Sequence, residues 1–299
     1  MSRLVHAIDR TVPPRLAIAL AALIFSTGGA AIKMANFTGW QVASFRSGVA
    51  ALTLALVLPS VRRGITGRSL LVAAAYAVTL VSFVLANRLT TSANAIYLQS
   101  TAPLFVMLLS PWLLREPVRA RDLPVLLAVL VGMLLVMSGN DAPSGTAPDP
   151  GRGNVLALSS GLTYALMLCG LRWLGRDGGG QAESLAAVVV GNSLACLATL
   201  PMALPLAATA AGDWVVIGYL GVVQIGLAYL LVAGGLRRVP ALDASLLLLV
   251  ETSFNPLWTW LLLAEQPSGG AVLGGVVIIG ATAAQAIVSA RRPSAAEPA

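Results

Sequence analysis

Ten stretches of apolar residues, separated by short polar or charged segments, run along the chain. None shows the period-2 alternation of a strand or a heptad repeat, and each is close to the ~20 residues that a helix needs to cross a bilayer. This pattern predicts an all-α integral membrane protein with ten transmembrane helices rather than a barrel. The stretches are residues 16–32, 40–58, 70–86, 92–114, 123–137, 154–174, 183–206, 214–235, 241–263 and 270–290.

The fourth and ninth stretches match each other at a fixed separation of 149 residues. The match places Glu116 opposite Glu265 and Asn94 opposite Asp243 without a gap, and both stretches end in Leu-Leu-x-Glu. We interpret this as an internal repeat of two five-helix halves. Because five is odd, the halves enter the membrane in opposite orientations, and such inverted repeats hold the binding site at their interface near the midplane.

The repeat predicts the division of the chain. We expect a first half at residues 1–140, an extracytoplasmic linker at 141–153, a second half at 154–292 and a cytoplasmic tail at 293–299.

Positive charges predict the orientation of these halves. If the N-terminus is inside, fifteen arginines fall in cytoplasmic segments, whereas Lys33, Arg88 and Arg152 fall outside. Because positive loops are retained in the cytoplasm, both termini are predicted to be cytoplasmic. Arginine-rich, lysine-poor usage with abundant alanine and glycine is typical of a GC-rich bacterial gene, which favours the bacterial inner membrane.

Composition excludes several other classes of protein. The chain is 57% hydrophobic and 10% charged, against roughly 25% charged residues in soluble domains. The net charge of +7 comes without a basic patch of interleaved aromatics, so nucleic acid is not a predicted partner. The only lysine follows no Gly-x-x-x-x-Gly-Lys motif, which excludes a P-loop ATPase. Catalytic motifs and metal-ligand clusters are also missing from the sequence, so we predict neither an enzyme nor a cofactor.

Several segments together carry a family resemblance: FSTGGAAIK, ASFRSG, ANRLTTSANA, PLFVMLLSPWLLREP and GGLRRVPALDASLLLLVETSFNPLWTWLLLAEQP. They resemble the EamA-type ten-helix members of the drug/metabolite transporter superfamily, over nearly the whole chain. The resemblance implies two five-helix repeats, and within the family the chain is most similar to the YddG-like exporters of aromatic and other amino acids. It departs from relatives at Glu251-Thr252, where the family often has Glu-Pro.

A carboxylate stands near the middle of the ninth stretch. Glu251 lies where an ionised carboxylate costs several kcal/mol unless it is paired or hydrated. Together with Thr252, Asn255 and Thr259 it forms a polar stripe within about 100° of arc. Two interpretations stay open. Glu251 either exchanges a proton during transport, or ties helices together as a hydrogen-bonded group.

Polar side chains on other stretches predict the lining of a substrate chamber. Asn94, Tyr97 and Thr101 share one face within about 60°. Gln224 and Tyr229 stand about 140° apart, so both reach one chamber only if their helix flanks it obliquely. For each tyrosine alone, interfacial anchoring or core packing is the alternative. The predicted lining residues are Tyr76, Thr79, Asn94, Tyr97, Thr101, Tyr164, Gln224, Tyr229, Thr252 and Asn255.

Two basic residues and two prolines complete the candidate set. Arg46, roughly 9 Å inside the second stretch, is predicted either to bind a substrate carboxylate or Glu251, or to snorkel or cap carbonyls. Lys33, at the external mouth of the first stretch, has the same alternatives. Pro103 and Pro256 each remove a backbone donor, which predicts either hinges or static kinks.

These patterns predict a secondary transporter that exports small amphipathic metabolites, amino acids first, by alternating access. The alternative within transport is proton-coupled efflux of another metabolite or drug, such as a nucleoside. A different class is a non-transporting membrane scaffold or sensor. The predicted partners are the lipid bilayer and a small-molecule substrate. A monomer is favoured over a dimer, because the small-xxx-small spacing of the last stretch serves packing within ten helices.

Overall fold

The computed structural model describes residues 12–58, 61, 64–115, 123–139, 142–176, 180–206, 209–235 and 241–290. We call the helices before and after residues 142–149 the first and the second half. In chain order the helices are α1 (Pro14–Ser26), α2 (Gly28–Met34), α3 (Gly39–Val57), α4 (Gly67–Leu89), α5 (Ser92–Gln99), α6 (Ala102–Leu113), α7 (Leu123–Ser138), α8 (Pro150–Arg176), α9 (Gly180–Ala203), α10 (Ala211–Gly218), α11 (Ala228–Gly235), α12 (Ala241–Leu263) and α13 (Gly269–Ala290). A π-helical segment, Tyr219–Leu227, joins α10 to α11.

Within the described residues, seven helical segments are long and apolar enough to cross a membrane. Two shorter apolar helices, Leu123–Ser138 and Gly269–Ala284, accompany them. The structure is thus all-helical, as predicted, while the count of ten crossings and the cytoplasmic termini stay predictions. The seven segments are Pro14–Met34, Gly39–Val57, Gly67–Leu89, Ser92–Leu113, Pro150–Leu174, Ala182–Ala203 and Ala211–Leu231.

Threonines set the beginnings of three helices in the first half. The side chains of Thr38 and Thr66 each accept the backbone N–H three residues on and form capping boxes at α3 and α4. Thr91 accepts the N–H of Asn94 and begins α5 in the same way. Each cap satisfies a donor that a helix N-terminus leaves without an intrahelical partner.

Three of the long segments are interrupted. The first breaks at Thr27, between α1 and α2. The fourth breaks between Gln99 and Ala102, which places Pro103 in the first turn of α6, where its missing N–H is no loss. The seventh passes through the π-helical segment, a form that often marks a functional position. By contrast α12 is continuous, although it contains Pro256.

One backbone feature recurs at the repeat distance. Arg115 and Ala264, which lie 149 residues apart, have φ angles of 54° and 53°. Positive φ is uncommon for residues other than glycine. Equal conformations at matched positions therefore support the internal repeat. Glu116, which follows Arg115, lies outside the described residues, whereas its counterpart Glu265 is described.

The two halves share one core. Helix α4 packs against α8 and α9, α3 against α9, and α12 against α1. The largest apolar cluster contains Leu54 and Leu80 from the first half and Leu174 from the second. Large apolar side chains such as Leu56 and Trp112 point outward, as expected where lipid rather than water surrounds the helices. The two halves therefore contact each other extensively.

Candidate functional site

A buried ion pair joins the two halves at one end of the molecule. Lys33, at the end of α2, lies 2.5 Å from Glu265, which follows α12, and both side chains are 4% exposed. Lys33 also donates to the carbonyls of Thr90 and Thr146. The second oxygen of Glu265 accepts the N–H of Ser92 at 2.6 Å. All polar atoms of the pair thus have partners. We call these five residues the Lys33 end.

Further hydrogen bonds close the same end. Arg88 donates to four backbone carbonyls between residues 32 and 37 and so caps α2. Asp213, at the start of α10, accepts from the backbone and side-chain N–H groups of Asn36 at 2.9 and 3.1 Å. Thr90 donates across the halves to Asn154 at 2.7 Å. These contacts hold helix ends of both halves together.

A second buried polar region contains groups without protein partners. Arg46 on α3 is 2% exposed, and its Nε has no hydrogen-bond partner among the described residues. The Tyr76 hydroxyl on α4 and the Asn192 side-chain oxygen on α9 are also buried and unpartnered there. Tyr76 lies beside Asn192 and beside Tyr229 of α11, with the two tyrosine rings edge to face at 6.0 Å. Two donors and an acceptor in this region thus lack a hydrogen bond of good geometry among the described residues.

Glu251 stands beside the same tyrosines. It lies within electrostatic reach of Tyr164 and Tyr229, and Tyr229 is also within reach of Arg46. No ion pair joins Glu251 to Arg46 in the described part of the chain. Arg46 and Glu251 therefore share a tyrosine neighbour without pairing with each other directly. We call the following residues the central cluster: Arg46, Tyr76, Tyr164, Asn192, Tyr229 and Glu251.

Three predicted lining residues of the fourth stretch lie elsewhere. The Tyr97 ring packs directly on Gly275 of α13. Asn94 donates to Asn154 at 3.2 Å, and Thr101 donates to a backbone carbonyl of α5. Because α5 is enclosed by α8, α12 and α13, a shared helical face does not single out one chamber. The structure does not bring these three side chains into the central cluster.

Another buried polar group lies between α2, the π-helical segment and α12. Asn255 is 1% exposed, and neither of its side-chain polar atoms has a partner among the described residues. A Cβ at Gly29 would meet its oxygen at 2.5 Å, so only glycine allows this approach. The Gln224 side-chain oxygen likewise has no hydrogen-bond partner among the described residues. Thr252 is paired, with Ser100 at 3.2 Å.

The remaining candidates have simpler environments. Thr79 lies one turn from Tyr76 and donates to Thr163 at 2.9 Å. Arg46 is enclosed rather than snorkelling to a surface. The two prolines differ, since the chain breaks its helix before Pro103 and continues α12 through Pro256.

Sequence reasoning missed two features of these regions. Asn192 was overlooked, although an amide inside an otherwise apolar stretch is the signal that could have found it. The pairing of Lys33 with Glu265 was also missed. The signal was the only lysine of the chain at one helix end and a carboxylate at another.

The described residues hold no group of three His, Cys, Asp or Glu side chains that could bind a metal ion. A surface depression of about 410 Å³, lined by Leu89, Arg152 and Val155 among others, contains no member of the central cluster.

Comparison with known proteins identifies the family of the chain. The model of the EamA-like transporter family matches residues 14–138 and 151–284, once for each half. The chain belongs to the EamA-like transporter family. It is therefore a multi-pass membrane transporter of small metabolites rather than an enzyme, as predicted at that level.

One solved crystal structure is similar to this EamA-like protein over 93% of the present chain and 99% of its own. The TM-score is 0.63 and the sequence identity is 19%, so the likeness shows the fold alone. No curated protein matches the chain.

Proposed function

We propose that this EamA-like protein is a secondary transporter that exports small amphipathic metabolites, amino acids first, across the bacterial inner membrane. The observation that carries the proposal is the central cluster. It places unpartnered polar groups from both halves beside three tyrosines. A mostly apolar site with a few placed polar groups suits a solute with a polar head and an apolar side group. Amino acids of the YddG-like substrate range have this form.

Alternating access is the proposed mechanism. At the Lys33 end, contacts between the halves form a closed barrier over the centre. In the predicted topology this end faces outward, so in this proposal it is the closed exit of the transporter. Rocking of two inverted repeats would separate Lys33 from Glu265 and open that exit. The matched φ angles of Arg115 and Ala264 support the repeat that this motion requires.

Proton coupling through Glu251 is the alternative for the driving force, and it extends to efflux of another metabolite or drug, such as a nucleoside. It is favoured by the position of Glu251 beside Tyr164 and Tyr229 without an ion-pair partner among the described residues. A carboxylate held in this way within a transporter is suited to binding and releasing a proton during the cycle.

The test is exchange of radiolabelled phenylalanine and threonine by proteoliposomes, with and without an imposed pH gradient. We expect the wild-type protein to move at least one of them faster than protein-free liposomes do. If neither moves under either condition, the amino-acid proposal is wrong. For Glu251→Gln, loss of only the gradient-driven movement assigns proton coupling to Glu251, whereas unchanged movement makes Glu251 a structural residue.

A further inference from the structure

Three buried side chains of the central cluster form a compact and chemically mixed group. Arg46 supplies an N–H donor, Tyr76 a hydroxyl and Asn192 a carbonyl oxygen, and each of these atoms lacks a hydrogen-bond partner among the described residues. The exposed fractions are 2% for Tyr76 and 0% for Asn192. The three side chains come from α3, α4 and α9, so both halves contribute to the group.

The close packing of α9 on α4 fixes two members side by side. A Cβ at Gly191 would meet the Tyr76 ring at 2.6 Å and the Ala73 carbonyl at 2.9 Å. Glycine at this position therefore lets α9 approach until Asn192 and Tyr76 are neighbours. Arg46 lies within electrostatic reach of the same Tyr76.

The charge of Arg46 is not neutralised by the protein around it. Buried arginines in proteins are normally paired with a carboxylate, because an isolated charge away from water is costly. The side chains within electrostatic reach of Arg46 include Tyr76 and Tyr229, which are uncharged, and no carboxylate pairs with it in the described ranges. A buried cation in this setting is complementary to an anionic ligand group.

Asn192 narrows the class of that ligand. Its side-chain N–H donates to the Val188 carbonyl at 3.0 Å, which orients the amide and leaves its oxygen as a free acceptor. A simple carboxylate would use Arg46 but not this acceptor. A simple amine would use the acceptor but be repelled by Arg46. A zwitterion, which carries a carboxylate next to an ammonium group, satisfies both.

We propose that Arg46 and Tyr76 bind the carboxylate of an α-amino acid while the side-chain oxygen of Asn192 accepts a hydrogen bond from its ammonium group. The amino-acid side chain then lies against Tyr229. This inference rests on the proposed amino-acid transport and adds the subsite that recognises the zwitterion. Glu251, which does not neighbour Arg46 directly, stays outside the subsite.

The first test compares ligands on the wild-type protein, so that it does not depend on a variant folding. Bound radiolabelled phenylalanine, or threonine if only that binds, is displaced by four unlabelled compounds. For phenylalanine these are phenylalanine itself, phenylalaninamide, phenethylamine and 3-phenylpropanoate, and for threonine the corresponding threonine series. Loss of one charge-assisted hydrogen bond weakens binding about 10- to 100-fold, so each compound lacking one charged group should compete that much less well.

The outcomes separate this inference from the proposed function. Equal competition by all four compounds would overturn the zwitterion subsite while leaving amino-acid transport intact. Failure of the wild-type protein to bind or move either amino acid would overturn both proposals.

The second test removes the charge. Arg46→Gln should weaken binding of the amino acid about 10- to 100-fold and abolish the preference for the zwitterion over the amine. A purely structural role would not alter this preference. Arg46→Lys keeps the charge and should retain the preference. It therefore serves as the test if Arg46→Gln fails to fold. The matched control is Arg152→Gln, because Arg152 is 84% exposed. Unchanged affinity and preference in folded Arg46→Gln, or a lost preference in Arg46→Lys, would overturn the inference.

Discussion

The Lys33 end and the central cluster are both buried and both contain a positive and a negative side chain, yet they treat those charges in opposite ways. At the Lys33 end the cation and the carboxylate contact each other, and backbone groups use their remaining capacity. In the central cluster Arg46 and Glu251 do not pair, and the hydroxyl and amide atoms near Arg46 are unpartnered among the described residues.

This difference suits two roles, closing of the exit at the Lys33 end and binding of the substrate at the central cluster. A saturated network, in which every polar group has a partner, stays stable until the halves that carry it move apart. Such a network suits a barrier that opens once per transport cycle. An unsaturated one leaves hydrogen-bonding capacity for a ligand, at a cost in stability of the free protein. If this distinction is right, substitutions at the two places should differ in whether they change stability or transport.

The largest effect is expected at the ion pair. Lys33→Met leaves the Glu265 carboxylate buried without its cation, and breaking a buried pair in this way costs about 3–5 kcal/mol. We expect a matching loss in the free energy of unfolding, measured by denaturant or thermal unfolding in detergent. The double variant Lys33→Met/Glu265→Leu should recover part of the loss, because it leaves no unpaired charge.

The exposed pair of Arg152 with Asp149 is the matched control for this prediction. Arg152→Gln removes an ion pair at a side chain that is largely in contact with solvent, and such pairs contribute little. Its unfolding should match that of the wild-type protein. Equal stabilities of Lys33→Met and Arg152→Gln would show that the Lys33 end is not a saturated barrier.

An intermediate effect is expected from two asparagines, one that contacts the Lys33 end and one in the central cluster. Asn87 accepts the Ser92 hydroxyl at 3.0 Å and donates to the Phe83 carbonyl, whereas the Asn192 oxygen has no partner among the described residues. Replacement by alanine removes the same volume at both. Because Asn87→Ala also leaves the Ser92 hydroxyl unsatisfied, it should cost about 1–3 kcal/mol more in unfolding free energy than Asn192→Ala.

The loss of transport in the same two variants should follow the reverse order. Asn192→Ala is expected to slow amino-acid exchange about tenfold or more, in line with one lost hydrogen bond to a charged group. Asn87→Ala, once folded, should retain most of the exchange. If both variants lost stability and transport in parallel, the two regions would not have separate roles.

The parts of the fold that depend on hydrophobicity were predictable from the sequence. The long apolar stretches recur as helices, and the repeat around Glu265 is accompanied by equal backbone angles at Arg115 and Ala264. Which side chains meet was harder to predict. Tyr97 has the same helical face as Asn94, but the packing of α13 directs it onto Gly275, and the helical period carries no information on which neighbour covers which face.

All members of the central cluster except Asn192 were candidates from the sequence, because each is a polar or charged side chain within an apolar stretch. Arg46 and Glu251 stand out as charges within apolar sequence, and the structure places both at the central cluster. The interruption before Pro103 and the continuous helix at Pro256 could not be told apart in advance. Both prolines remove one donor, and whether the helix breaks depends on the hydrogen bonds that neighbouring residues form instead.

The smallest effect is expected from Pro103→Ala. Helix α5 starts at the Lys33 end and spans about 12 Å by helical rise, so the break that follows it lies about that far along the helix from the Lys33 end. The Thr101 hydroxyl and backbone N–H both donate to the Leu98 carbonyl, which holds the break without the proline. In the first turn of α6 the restored N–H needs no intrahelical partner, so unfolding free energy should change by less than about 1 kcal/mol. Exchange rates should stay close to those of the wild-type protein. A several-fold slower exchange at unchanged stability would instead make Pro103 the hinge through which opening of the Lys33 end is transmitted to the central cluster.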